Sequence, residues 1–155
     1  MADPPVTTAL VVGFGSSLRG DDGLGLAVVG EQGTESFGAG VTTLAVPQLD
    51  ITLAPVIAES ELVIFVDARP DDGGEMVLVR ELAPAPRAAL GSHTLDGPAL
   101  LRLTLDCYGR APLCYLVLPR GVDFGIGTTL SEPAQAAVEA AREVIREIIG
   151  RTGAS

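Results

Sequence analysis

Apolar residues in this chain gather in short blocks separated by glycine, proline and acidic residues, and the blocks switch between two periods. Ala9 to Phe14 is an unbroken apolar run rich in valine and closed by Gly15, the pattern of a strand buried on both faces. From Asp22 to about Gln32 the positions Leu24, Val28 and Val29 follow helical spacing. Asp21 and Asp22 stand at the end where that helix carries partial positive charge, and Asp21 reads as its cap. Val41 to Val46 gives a second strand, and Ile51 to Glu59 a short helix that tolerates Pro55 only in its first turn. Leu62 to Asp67 is the clearest strand of all, an apolar run that ends on an acid.

The second half continues the alternation. Asp71-Asp72-Gly73-Gly74 is a turn signal, and Met76 to Leu82 alternates as a half-exposed strand does, which predicts an antiparallel strand at the sheet edge. Ala83 to Gly97 reads as a proline-bearing loop, Leu100 to Tyr108 as a helix, Leu113 to Leu118 as another buried strand and Gly121 to Gly127 as a glycine-bearing loop. Ser131 is placed to cap a final helix with Pro133 in its first turn, along which Val138, Ala141, Ile145, Ile148 and Ile149 line one face. Strands alternating with helices imply a three-layer α/β/α sandwich around a mostly parallel twisted sheet of about five strands, one of them an antiparallel edge strand. Without repeat, low-complexity tract or linker, residues 1–155 are read as a single domain.

Composition narrows the chemistry. The formal charge of −10 disfavours a nucleic-acid partner, because a phosphate backbone must be met by a basic surface. All 10 basic residues are arginine, so a P-loop lysine, a Ser-Lys dyad and a lysine Schiff base are excluded. Cys107 and Cys114 fall in apolar stretches without C-x-x-C spacing and read as plain buried thiols in a reducing compartment. With no leader-like start and no apolar run near the ~20 residues of a bilayer span, the expectation is a cytoplasmic protein that avoids membranes.

Within that frame one group of residues can carry chemistry. The chain has a single histidine, His93, and two acids that each follow a strand, Asp22 and Asp67. In an open α/β sheet ligands collect beyond the carboxyl ends of the strands, where the strand order reverses, so Asp22 and Asp67 meet if the first and third strands are neighbours. A carboxylate closing an apolar strand is costly to bury unless something pairs with it, and Arg69 is the nearest candidate. Two carboxylates in one cleft repel until a divalent cation enters, and a neutral imidazole completes a mixed nitrogen and oxygen site with an open position. Such a donor set admits nickel, zinc, manganese or iron. Gly13-Phe14-Gly15 resembles the opening of a dinucleotide fingerprint, but Leu18 stands where the third glycine belongs and the two aspartates would repel a pyrophosphate.

These residues are similar to those of the hydrogenase maturation proteases, nickel-dependent endopeptidases that trim the C-terminal tail of the large subunit of nickel-iron hydrogenases. The resemblance rests on Gly13-Phe14-Gly15-Ser16-Ser17-Leu18-Arg19-Gly20-Asp21-Asp22-Gly23-Leu24-Gly25, on Val66-Asp67-Ala68, on Ser92-His93, and on Gly125-Ile126-Gly127 with Leu130-Ser131. It implies the same three-layer fold, metal ligation and catalysis by Asp22, Asp67 and His93, and nickel delivered by the precursor subunit instead of held permanently, with other divalent ions as surrogates. It also implies a monomer whose partner is the large-subunit precursor. Ser16 stands where the family usually has asparagine, and Pro47-Gln48-Leu49 is more like the branch serving NAD-linked bidirectional hydrogenases. Peptide cleavage would proceed by water attack directed by the metal and its carboxylates. The same ligands would also serve a nickel carrier or sensor without hydrolytic activity, or a small-molecule hydrolase with its own tightly held metal.

Overall fold

The computed structural model describes residues 8–30, 33–87 and 95–152. Six strands form one mostly parallel sheet: β1 (Ala9–Phe14), β2 (Val41–Val46), β3 (Leu62–Val66), β4 (Arg69–Pro70), β5 (Val77–Leu82) and β6 (Leu113–Gly121). Among the described residues four α-helices cover it: α1 (Leu24–Val29), α2 (Ala54–Ala58), α3 (Gly97–Tyr108) and α4 (Glu132–Arg151). Across the sheet β2, β1, β3 and β6 run parallel, the two-residue β4 continues along β6 at Arg120 and Gly121, and β5 pairs antiparallel with β6. The expected antiparallel edge strand is therefore present. None of the described helices is long and apolar enough to cross a membrane.

The apolar strands are buried on both faces, and their period-2 alternation sorts side chains between two cores. Ala9 and Val11 of β1 and Leu62, Ile64 and Val66 of β3 face α1 and α4, meeting Val28, Ala141, Ile145 and Ile148. Leu10 and Val12 with Val63 and Phe65 face the other way, against Ile57 of α2 and Leu100 and Leu101 of α3. This alternation is what makes three layers out of one sheet. Ser131 caps α4 as expected, its hydroxyl accepting from the Ala134 N–H at 3.3 Å, and Pro55 sits in the first turn of α2.

Three boundaries differ from the expectation. Asp21 and Asp22 do not open α1; they lie in a 3-10 turn, Gly20–Gly23, that precedes it, and α1 stops at Val29 where Gly30 turns to φ +80°. Helix α3 starts a turn before Leu100, because Asp96 caps it by accepting from the Ala99 N–H at 2.9 Å and Pro98 fits its first turn. Strand β6 runs past Leu118 to Gly121, held there by β4 and β5. Of the two thiols only Cys114 is buried, where burial pushes it up to about 12; Cys107 is on the exposed side of α3, contrary to its apolar surroundings in sequence.

Candidate active site

Strands β1 and β3 are neighbours, paired from Ala9 with Leu62 through Gly13 with Val66, while β2 lies on the far side of β1. The strand order reverses between β1 and β3, so the crevice beyond their carboxyl ends is the topological switch point of the sheet. Two glycines bring the acidic turn onto that crevice. A Cβ on Gly25 would stand 2.4 Å from the Val66 carbonyl oxygen and 2.5 Å from that of Phe14, so only glycine lets the first turn of α1 rest directly on both strand ends. Gly15 has φ +144°, and a Cβ there would meet the Asp22 carbonyl oxygen at 2.1 Å.

Within this loop Asp22 is oriented by the Ser16 N–H, which donates to its Oδ2 at 3.0 Å. The Ser16 hydroxyl accepts from the Leu18 N–H at 3.2 Å, so the serine is used inside the loop itself. Asp67 follows β3 immediately and donates its own N–H to the Val117 carbonyl at 3.1 Å, which carries the backbone across to β6. Among the described residues its carboxylate receives only the Ala68 N–H, at 2.9 Å. Burial pushes the Asp67 carboxyl up to about 6; the Ala68 N–H opposes this, and the negative charge of Asp22 adds to it.

Arg69 does not pair with Asp67. Its guanidinium turns the other way, donating to the Leu118 carbonyl at 2.9 Å and to the Glu75 carbonyl and Asp72, where it pins the 71–75 turn. Asp21, expected as a helix cap, has another task. It is fully buried and accepts from the Val122 N–H (2.7 Å), the Asp123 N–H (2.9 Å), the Ser131 N–H (2.8 Å) and the Ser131 hydroxyl (2.6 Å). Burial alone would raise its pKa, but these hydrogen bonds outweigh it and hold the carboxyl below its usual range. Backbone bonds reinforce the seam: Gly20 N–H to Gly127 carbonyl at 2.9 Å and Gly127 N–H to Leu18 carbonyl at 3.0 Å.

The structure thus brings Asp22 and Asp67 to the same strand ends, and His93 lies outside the described residues. Among the described residues no cluster of three or more His, Cys, Asp or Glu stands ready to hold a metal ion. Beside Asp67 opens a cavity of about 380 Å³ that the sequence pattern does not foretell, walled by Phe14, Phe65, Leu82 and Leu116 with Arg80 at its margin. Only the alternation of β5, which sets Arg80 on the same face as Leu82, hints at it.

The same architecture recurs among solved proteins. The nickel-iron hydrogenase maturation protease HycI of Thermococcus kodakarensis superimposes with a TM-score of 0.71 over 94% of this chain and 94% of that chain, at 23% identity. The hydrogenase 2 maturation peptidase of a Thaumarchaeota archaeon gives 0.68 over 92% of this chain and 98% of that one, at 24% identity. The hydrogenase maturating endopeptidase HybD of Escherichia coli gives 0.71 over 94% of each chain, at 17% identity. The fold is that of the hydrogenase maturation proteases. By sequence, no family model and no curated protein matches the chain.

Proposed function

We propose that this chain is an endopeptidase that removes the C-terminal extension from the nickel-loaded large-subunit precursor of a nickel-iron hydrogenase. Asp22, Asp67 and His93 are the groups assigned to the nickel that the precursor carries, and the metal is part of the substrate, not a resident cofactor. The observation that carries this reading is the state of Asp67: a carboxylate at the switch point of the sheet, pushed up to about 6, with Asp22 beside it and Arg69 turned away. Such a group, with one hydrogen bond among the described residues, is stabilised by an arriving cation. The fold shared with the maturation proteases and the block from Gly13 to Gly25 support the same assignment. Pro47-Gln48-Leu49 favours a precursor of the NAD-linked bidirectional type.

The chemistry follows from the carboxylates. Whichever of Asp22 and Asp67 keeps a carboxylate oxygen free of the ion would take a proton from a water molecule as that water attacks the scissile carbonyl. The proton then passes to the departing amine as the carbon–nitrogen bond breaks, leaving a new carboxylate on the subunit and a free amine on the tail. Nickel at the junction would polarise the carbonyl or the water. Asp22, held by the Ser16 N–H, would fix that ion on the other side.

The test is incubation of the purified protein with nickel-loaded and nickel-free precursor, read by intact mass. Shortening of the loaded precursor alone is the expected outcome. A precursor that remains full length in both cases would transfer the reading to a nickel carrier or sensor. Near-stoichiometric metal in the protein after chelator treatment would instead favour a hydrolase with its own ion.

A further inference from the structure

The cavity beside Asp67 has a definite chemical character. Phe14 at the end of β1, Phe65 of β3, Leu82 of β5 and Leu116 of β6 form its walls, and the two phenylalanine rings meet edge to face with centroids 6.5 Å apart. At about 380 Å³ it exceeds the packing voids of a protein interior and reaches the size of small-ligand sites. Its lining also includes two polar groups with reach, Asp67 and Arg80; a third, Asp96, is engaged in capping α3. Among the described residues the Arg80 guanidinium, like those of Arg19 and Arg151, has neither an ion pair nor a hydrogen bond, whereas Arg69, Arg87, Arg102, Arg110, Arg120, Arg142 and Arg146 all have one.

We propose that this cavity is the subsite that seats a bulky apolar side chain of the precursor next to the bond that is cut, with Arg80 donating to a main-chain carbonyl of the same segment. The inference rests on the endopeptidase reading and deepens it. A peptide that presents its carbonyl to Asp67 must place an adjacent residue over the cavity, because Asp67 is itself part of the wall and consecutive Cα atoms are only about 3.8 Å apart. Filling the apolar walls removes them from water, which favours an aliphatic or aromatic side chain over glycine. The cavity therefore selects by size and apolarity at one position.

The test uses the full chain and nickel-loaded precursor in which the two residues flanking the cut, located from product masses, are changed in turn to glycine, alanine, leucine and phenylalanine. At one of the two positions kcat/KM should rise at least about tenfold from glycine to leucine. Leu116→Phe, which narrows the cavity, should reverse the order of leucine and alanine at that position, and Leu82→Ala, which widens it, should shift the preference toward phenylalanine. Arg80→Ala should raise KM severalfold with kcat retained. Thermal melts establish that each variant is folded. Cleavage without a size preference at either position, or a preference that neither folded variant moves, overturns the subsite and leaves the endopeptidase reading standing. A wild-type protein that leaves every precursor intact overturns that reading, and the subsite with it.

Discussion

Two acids at the same end of the sheet, one fully buried and one half-buried, are treated in opposite ways. In the seam between the 15–23 loop and the 121–131 loop, Asp21 collects four hydrogen bonds, and its carboxyl is held below the usual range. At the end of β3, Asp67 collects one among the described residues and is pushed up to about 6. Their partners set them apart. A carboxylate that is fully satisfied by the protein is structural; one left short of partners is available to something else. The contrast also separates Asp21 from its neighbour Asp22, which among the described residues has a single backbone donor and lies on the crevice of Asp67.

The sharpest way to break this contrast is through activity. Asp22→Ala, Asp67→Ala and His93→Ala should each reduce tail removal by roughly 100-fold or more while the far-ultraviolet dichroism and cooperative unfolding remain. Mass spectrometry of the precursor reads the first and thermal melting the second. Asp21→Ala should do the reverse and act first on stability. Removing its carboxylate strands the N–H groups of Val122, Asp123 and Ser131, a loss of about 3–5 kcal/mol measured by denaturant unfolding, well above that of a lost helix cap. Because the folded pKa of Asp21 lies below the ordinary 3.8, its contribution is complete above that value and disappears as the pH falls through the folded pKa. The difference between wild type and Asp21→Asn should accordingly shrink in acid. Ser131→Ala removes both the α4 cap and one Asp21 bond and should cost about 1–2 kcal/mol.

How much of this is legible in the sequence depends on the range of the interaction. Strands β1, β2 and β3 can be read almost to the residue, because each is an apolar block bounded by glycine, proline or acid. The cap and inner face of α4 are equally plain, since Ser131, Pro133 and the Ile145 to Ile149 spacing are local signals. The start of α3 is written in Asp96 and Pro98, but the preceding prolines mask it. Asp21 cannot be assigned from the sequence at all: its partners lie 101 to 110 residues away, so a helix cap is the only role that local spacing offers. Arg69 is misread for the same reason, as its carbonyl acceptor on Leu118 comes from β6, 49 residues on. The pairing of β1 with β3 makes Asp22 and Asp67 neighbours, whereas His93 falls outside the described residues and its part in the site rests on the resemblance.

The smallest expected effect is also the one with the most distinctive sign. In the unfolded chain Asp67 loses its proton near 3.8, but in the folded protein only near 6, so between these values the folded state binds more protons than the unfolded one. Stability therefore falls as the pH rises from about 4 to about 6, the direction opposite to that of Asp21, and the full destabilisation is present at neutral pH. An asparagine in place of this acid has nothing to ionise. Asp67→Asn should melt with the wild type at pH 4 and about 2–4 °C above it at pH 7.5, while cleaving no precursor. Melting curves across that range provide the check: a variant no more stable than wild type at pH 7.5 would mean that the Asp67 carboxylate is already satisfied without a cation. A gain in stability coupled to loss of cleavage would identify Asp67 as a group held at a cost in the free protein for use in the complex.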